Sequence, residues 1–290
     1  MFDWDDLRFI LAVSRHGSLT AAARVLGVTQ PTMSRRLEQL EARIGTPLFE
    51  RSVSGVMLNP LGTSLLGMAE QMEQSVLAAE RRIAARDTGL EGIVRLTTLE
   101  WIGQHLLAPT LASFCRKHPA ITVELITADR VLSLVRHEAD IAVRVTPFDQ
   151  DGLVQRRIGN SHRALFASVS YLAERGMPDF AAGCPGHSLV TFPETAATFP
   201  QVHWLRDRIA PRAHIAVQSN SLDVQLQAIL SGAGMGALPS KAETKRPTLR
   251  RIETPEPPPS RELFLGYHED LRHTPRVRAL ADHIAASMPR

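Results

Sequence analysis

The chain is 290 residues long, 44% hydrophobic and 22% charged, with a net charge of +3. One core is usually filled by about 100–150 residues, so two or three domains are expected, and the composition excludes both wholesale disorder and a polycation. Lys117, Lys241 and Lys245 are the only lysines among 33 basic residues, so the positive charge is carried by arginine, the side chain suited to phosphate and carboxylate forks.

Cys115 and Cys184 cannot build a disulfide framework and fit no zinc spacing. A reducing compartment suits them. No apolar run approaches the roughly 18 residues of a membrane span, and the acidic opening Met1-Phe-Asp-Trp-Asp-Asp6 is unlike a signal peptide. A cytoplasmic protein without membrane contact is expected.

In chain order, Trp4, Leu7, Ile10 and Leu11 recur at helical spacing behind Asp3, Asp5 and Asp6. Gly17 stops that helix, and Ser18 is an N-cap for a short second one, Leu19 to Leu26, that Gly27 ends. Thr29 caps a third helix with Pro31 in its first turn. Met33, Leu37, Leu40 and Ile44 would face inward, while Thr32, Arg35, Arg36, Gln39 and Arg43 fall opposite. Two helices joined by a tight glycine turn, the second with a polar outer face, predict a helix-turn-helix. Residues 15–52 hold six arginines against three glutamates, which concentrates positive charge where DNA would lie. Gln30, Thr32, Ser34 and Arg35 are the groups that read base edges or clamp phosphates. Any single arginine could equally solvate a helix face or pair with Glu38 or Glu41; the whole constellation favours DNA.

Pro47-Leu48-Phe49 and the turn Ser52–Gly55 predict a small β-wing. From Leu61 to Arg86 the chain reads as one long helix. Its stripe of Leu61, Leu65, Met68, Met72, Val76, Ala79 and Ile83 steps by three or four residues and calls for a partner chain. From Gly92 strands and helices alternate. Ile93–Thr98, Ile121–Thr127 and Ala139–Val145 read as strands, with helices at Gln104–His118 and Arg130–His137 between them. That order implies a parallel sheet with crossover helices. A second set follows: strands Ala164–Val169, Ser188–Phe192, Ile215–Gln218 and Gly236–Leu238, with the helix Ser221–Ser231. After the Pro-rich Glu253–Pro259 the chain re-enters the first set through Glu262–His268 and a last helix, Pro275–Ala286.

Several motifs are decoys. Gly232-Ala-Gly-Met-Gly236 follows a helix and leads into a strand, the reverse of a dinucleotide fingerprint. His268 and His273 are five apart, not four, so they are no zinc-protease pair. Cys184-Pro-Gly-His187 reads as a turn, and Cys115 as a small core residue. No nucleophile elbow or phosphate loop occurs. Neither a metal nor a cofactor is expected.

The run Ser18-Leu-Thr-Ala-Ala-Ala-Arg-Val-Leu-Gly-Val-Thr-Gln-Pro-Thr-Met-Ser-Arg-Arg-Leu-Glu-Gln-Leu-Glu, then Ile44-Gly-Thr-Pro-Leu-Phe-Glu-Arg51, resembles the LysR-type transcriptional regulators. Glu138–Arg144 and Tyr267–Arg278 are also similar to family segments, so the resemblance spans nearly the whole chain. One departure is Leu58-Asn-Pro-Leu-Gly62, where the family usually has Leu-Thr-x-Ala-Gly. The resemblance implies a winged helix-turn-helix over 1–60, a dimerising linker helix over 61–89, and an α/β effector domain like periplasmic binding proteins over 90–290. The effector domain's two lobes would be about 90–162 with 266–290, and about 163–265. The implied partners are double-stranded operator DNA, a small-molecule effector, and further copies of the chain as a homodimer and then a homotetramer.

The candidate DNA-binding residues are then Ser18, Thr29, Gln30, Pro31, Thr32, Ser34, Arg35, Arg36 and Arg51. For the effector they are Thr97, Thr98, Glu100, Thr127, Asp129, Arg144, Ser219 and Asn220, at strand ends and helix starts. Capping is an equal reading for Thr127, Ser219 and Ser221, and Arg144 could instead pair with Asp140. A stand-alone ligand-binding module leaves residues 1–58 unexplained, and an enzyme lacks a nucleophile–base pair.

Overall fold

The structure is a computed structural model that describes residues 4–52, 55–85, 89–127, 132–196, 199–243 and 246–288. The chain divides into two compact units, Met1–Ala84 and Ala85–Arg290.

In the first unit, helices α1 (Trp4–His16), α2 (Leu19–Val25) and α3 (Gln30–Ile44) pack around Phe9, Val13, Ala22, Ala23, Met33 and Leu37. The small residues Ala22 and Ala23 are fully buried, and they let α2 lie close to its neighbours. The turns on either side of α2 pass through Gly17 (φ 68°) and Gly27 (φ 67°), left-handed positions that favour glycine. Ser18 and Thr29 cap α2 and α3, accepting from Ala21 N and Thr32 N. Strands β1 (Phe49–Ser52) and β2 (Gly55–Leu58) form the antiparallel wing.

Helix α4 (Pro60–Ala85) has 26 residues and is therefore about 39 Å long. Asn59 starts it. Its Oδ1 accepts from Gly62 N at 2.8 Å, and its Nδ2 donates to the Pro47 carbonyl at 2.6 Å. Gly62 has no room for a side chain, since a Cβ there would fall 2.4 Å from the Leu48 carbonyl oxygen. The first half of α4 packs through Ala69, Leu65 and Leu66 on Leu7, Ile10, Leu11, Leu40 and Leu48. Arg15 of α1 holds Glu73 with two bonds of 2.8 and 2.6 Å.

The second unit begins with β3 (Gly92–Thr98) and a helix that starts as α5 (Glu100–Ile102), widens to a π-turn over Gly103–Leu107, and continues as α6 (Ala108–Lys117). Then come β4 (Ile121–Thr127), β5 (Ile141–Arg144), β6 (Leu153–Ser161), β7 (Arg163–Ser168), α7 (Val169–Arg175) and β8 (Ser188–Thr191). Helix α8 (Pro200–His203) runs into a π-stretch over Trp204–Ile209, followed by β9 (His214–Gln218), α9 (Leu222–Leu230), β10 (Gly236–Pro239) and β11 (Leu249–Ile252). The chain ends with β12 (Arg261–His268) and α10 (Pro275–Ser287).

The first lobe is built on one sheet in the order β4-β3-β5-β12-β6. The expected parallel ladder holds for β4, β3 and β5, but β12 and β6 join antiparallel. The return strand lies in this sheet from Arg261, not from about 266. Of the helix expected over 130–137, residues 130 and 131 lie outside the described residues, and 134–137 form a turn. Local bonds capture it: Glu138 accepts from Ser133 N at 2.7 Å, and His137 meets Asp140 at 3.1 Å. The second lobe has the sheet β10-β7-β11 and the parallel pair β8-β9, bridged at Leu189 and Met235. The chain crosses between the lobes twice, from β6 to β7 and from β11 to β12.

Candidate functional site

The outer face of α3 is prepared by its own side chains. Thr29 Oγ1 lies 2.8 Å from Thr32 Oγ1, and Gln30 Nε2 donates to Ser34 Oγ at 3.1 Å. Met33, Leu37 and Leu40 are buried on the opposite side, which leaves this polar row outward. The arginines divide. Arg43 bonds the Asp6 carboxylate, and Arg36 lies over the Phe9 ring at 4.9 Å, with Asp5 4.0 Å away. Both are turned toward α1. Arg35 is exposed and has no carboxylate partner among the described residues. Pro31 is exposed in the first turn, Ser18 serves as the cap of α2, and Arg51 lies on β1.

In the second unit a cavity of about 400 Å³ lies between the lobes. Of the residues expected at an effector site, Glu100, Arg144 and Asn220 line it, together with Ser221. Arg144 donates to the Leu132 carbonyl at 2.6 Å and lies 4.5 Å over the Phe148 ring. Phe148 is held against Gly266, where a Cβ would fall 2.6 Å from the ring. Burial lowers the Arg144 pKa, and Asp149 partly opposes that.

Thr97, Thr98, Thr127 and Ser219 are not among the lining residues. Thr98 is buried and donates to the Val143 carbonyl at 3.0 Å. A Cβ on Gly103 would meet the Thr127 methyl at 2.6 Å and the Thr98 methyl at 3.4 Å, so both threonines lie against the incoming helix. Ser219 Oγ accepts from Ser221 N at 3.1 Å, a cap. Asp129 lies outside the described residues.

The cavity also gathers residues outside the candidate set. Trp101, from the first lobe, is 5% exposed and packs with Phe166, Val190, Leu226 and Leu238 of the second. Asp223, at the start of α9, lines the cavity and meets His105 of the π-turn, which lies outside the lining, at 3.1 Å, a second tie between lobes. Phe192 and Phe199 meet edge-on, with ring centres 5.4 Å apart, and the Arg261 guanidinium lies 5.3 Å from the centre of Phe199. Arg163 is 9% exposed, and its Nη1 donates to the Ala237 carbonyl at 3.2 Å. Burial, and then the nearby charge of Arg261, bring its pKa down to about 10. One signal in the sequence does point to it: Arg163 heads the wholly buried run Ala164-Leu-Phe-Ala167.

Two other groups are ordinary. Cys115 is exposed, contrary to the expectation of a core position, because it falls one residue past Phe114 on the inward face of α6. Cys184 is buried in a turn, and burial pushes its thiol up to about 11, which keeps it protonated and inert. Among the described residues no group of three or more His, Cys, Asp or Glu could hold a metal ion, and no helix is long and apolar enough to cross a membrane.

Residues 4–63 match the family described as bacterial regulatory helix-turn-helix protein, lysR family, and residues 87–289 match the LysR substrate binding domain. The Mau operon transcriptional activator of Paracoccus denitrificans is 28% identical, over 98% of this chain and 95% of its own length. The probable HTH-type transcriptional regulator LtrA of Klebsiella pneumoniae is 26% identical, over 98% and 94%. Among solved structures, the full-length Vibrio cholerae virulence activator AphB has 21% identity and a TM-score of 0.61, covering 98% of this chain and 99% of that one. CrgA of Neisseria meningitidis has 23% identity and a TM-score of 0.59, covering 99% of each chain. The chain belongs to the LysR family of bacterial transcriptional regulators: DNA-binding proteins with an effector-binding domain, not enzymes.

Proposed function

We propose that this regulator binds operator DNA as a homodimer, with α3 in the major groove, and that a small molecule held between the lobes of the second unit controls it. The observation that carries the DNA reading is the division of arginines on α3. Arg36 and Arg43 are turned to α1, while Arg35 is exposed beside Gln30, Thr32 and Ser34. Those groups donate to base edges and phosphates once the internal Gln30–Ser34 and Thr29–Thr32 bonds are exchanged. Ser18 and Thr29 hold the two helix N-termini toward the phosphates, and the wing strand that carries Arg51 lies beside the backbone.

In this reading residues 1–60 bind DNA, 61–89 pair the protomers, and 90–290 sense the effector, with a tetramer as a pair of dimers. The apolar stripe on α4 supports the pairing, since Leu61, Met68, Met72 and Val76 are exposed in the single chain. The effector acts by population shift: it favours one closure of the lobes, and that changes how the dimers are set on bent DNA.

A mobility-shift titration on the DNA flanking the protein's own gene tests this reading. It should give a specific complex whose affinity falls steeply with salt through counterion release. A protein that binds no such DNA at any ionic strength, or binds with no salt slope, overturns it.

A further inference from the structure

The cleft holds positive charge that the chain does not balance. Arg163 opens β7 just after the first crossing between the lobes, and Arg261 opens β12 at the end of the second. Arg261 pairs in register with Ser161, two residues ahead of Arg163, so the two crossings bring both guanidiniums to the same cavity. The Arg163 Nε is buried with no acceptor. Among the described residues no carboxylate is paired with either guanidinium, and Arg163 lies in the field of Arg261. A buried cation without a partner is costly to the fold.

The rest of the lining fits a particular companion. Gln201 is 3% exposed, and its Oε1 is buried without a donor. Phe192 and Phe199 supply an apolar wall. The two carboxylates at this cavity are placed otherwise: Asp223 is held by His105, and Glu100 is exposed at the start of α5.

We propose that the cleft takes a small organic carboxylate with an apolar or single-ring body and one hydrogen-bond donor, its carboxylate set between Arg163 and Arg261 and its donor on Gln201 Oε1. This rests on the cleft being the effector site, and it names the ligand class. A carboxylate accepts paired N–H bonds from guanidinium groups in a way a neutral oxygen cannot. Because the two arginines open the strands that follow the two crossings, one in each lobe, one bound carboxylate ties both crossings and biases the angle between the lobes.

Thermal melting of the full chain tests this with three probes of one shape: 4-hydroxybenzoate, its neutral twin 4-hydroxybenzamide, and the cation 4-hydroxybenzylamine. The carboxylate at about a hundred times its Kd should raise the melting temperature by about 5 °C or more, and the twins by far less. Arg163→Met and Arg261→Met should each weaken carboxylate binding about tenfold or more and erase the preference over the amide. Without ligand, Arg163→Met should melt no lower than wild type, because the unpaired charge is gone; should it not fold, Arg261→Met carries the comparison. An amide or amine that stabilises as well as the carboxylate overturns the charge recognition and leaves the cleft reading standing. No carboxylate preference at all overturns the proposal, while DNA binding is read separately by mobility shift.

Discussion

Arginine is placed in opposite ways in the two units, and the contrast separates two kinds of ligand. On α3, Arg43 and Arg36 are turned to the acidic first helix, through Asp6 and Asp5, and Arg35, with no carboxylate partner among the described residues, stays in water. An exposed charge costs the fold almost nothing, acts across a Debye length of about 8–10 Å, and suits an extended polyanion. In the cleft, Arg163 is out of water with its Nε unsatisfied. A charge there costs several kcal/mol on the scale of a buried ion, and beyond the Ala237 carbonyl the proposed ligand would offset it. In the proposed reading both units present cations, one to a surface and one to a molecule.

The largest expected effect breaks the first unit's side of this contrast. In the proposed reading its DNA face meets a two-half-site operator only when two copies are joined. Met68, Met72 and Val76 are 56%, 45% and 44% exposed on one stripe of α4. Met72→Glu is expected to yield monomers in sedimentation, because an unpaired carboxylate would have to be buried in an apolar seam. Operator affinity should fall about 10²–10⁴-fold with the loss of the linked second site. Dimers with wild-type affinity would remove α4 from the assembly.

The next effect falls on the second unit. Trp101 enters the apolar cluster of the other lobe and also lines the cavity. Trp101→Ala is expected to destabilise that unit by about 3–5 kcal/mol, seen as an earlier unfolding transition. Operator binding in the absence of effector should change much less. A Trp101→Ala protein with unchanged melting would show that the lobes are held together elsewhere.

The two units also differ in how far their sequence could be read. On α3 the cap Thr29, the buried row Met33, Leu37 and Leu40, and the outward Arg35 follow from helical period alone, because all belong to one contiguous element. Arg36 does not, since its direction depends on Phe9 and Asp5 of another helix. In the cleft, the rule that ligands meet strand ends and helix starts reached Arg144, Glu100 and Asn220. It also reached Thr98 and Thr127, which lie outside the lining because close packing of the helix at Gly103 covers them. Arg163, Arg261 and Gln201 come from a strand start after each crossing and from a four-residue helix. The long-range pairing of β12 with β6 brings Arg261 beside the crossing that leads to Arg163, and no local period encodes it.

A smaller effect sharpens the division among the α3 arginines. Arg35→Ala is expected to weaken operator binding by about 1–3 kcal/mol and to lessen the salt slope by about one if it meets a phosphate. Stability should be unchanged, since the side chain is exposed. Arg43→Ala should do the reverse. It leaves Asp6, which is 7% exposed, without the arginine it bonds, so melting should suffer more than affinity. If both variants lose affinity equally with the same salt slope, the division does not describe how the helix meets DNA.

The smallest effect concerns the joint between the wing and α4, where the chain departs from Leu-Thr-x-Ala-Gly. Asn59 does there what a threonine oxygen can do, accepting from Gly62 N at 2.8 Å. It also does what threonine cannot reproduce with an amide, donating to the Pro47 carbonyl at 2.6 Å. Asn59→Ala removes both bonds and is expected to cost about 1–2 kcal/mol in the urea unfolding of the helical signal. Asn59→Thr keeps the cap and loses only the bond to Pro47, so it should cost roughly half as much. Equal losses in the two variants would mean that the Pro47 bond, which fixes the loop entering the wing, carries the whole effect. A Thr variant as stable as wild type would make the cap the whole of it.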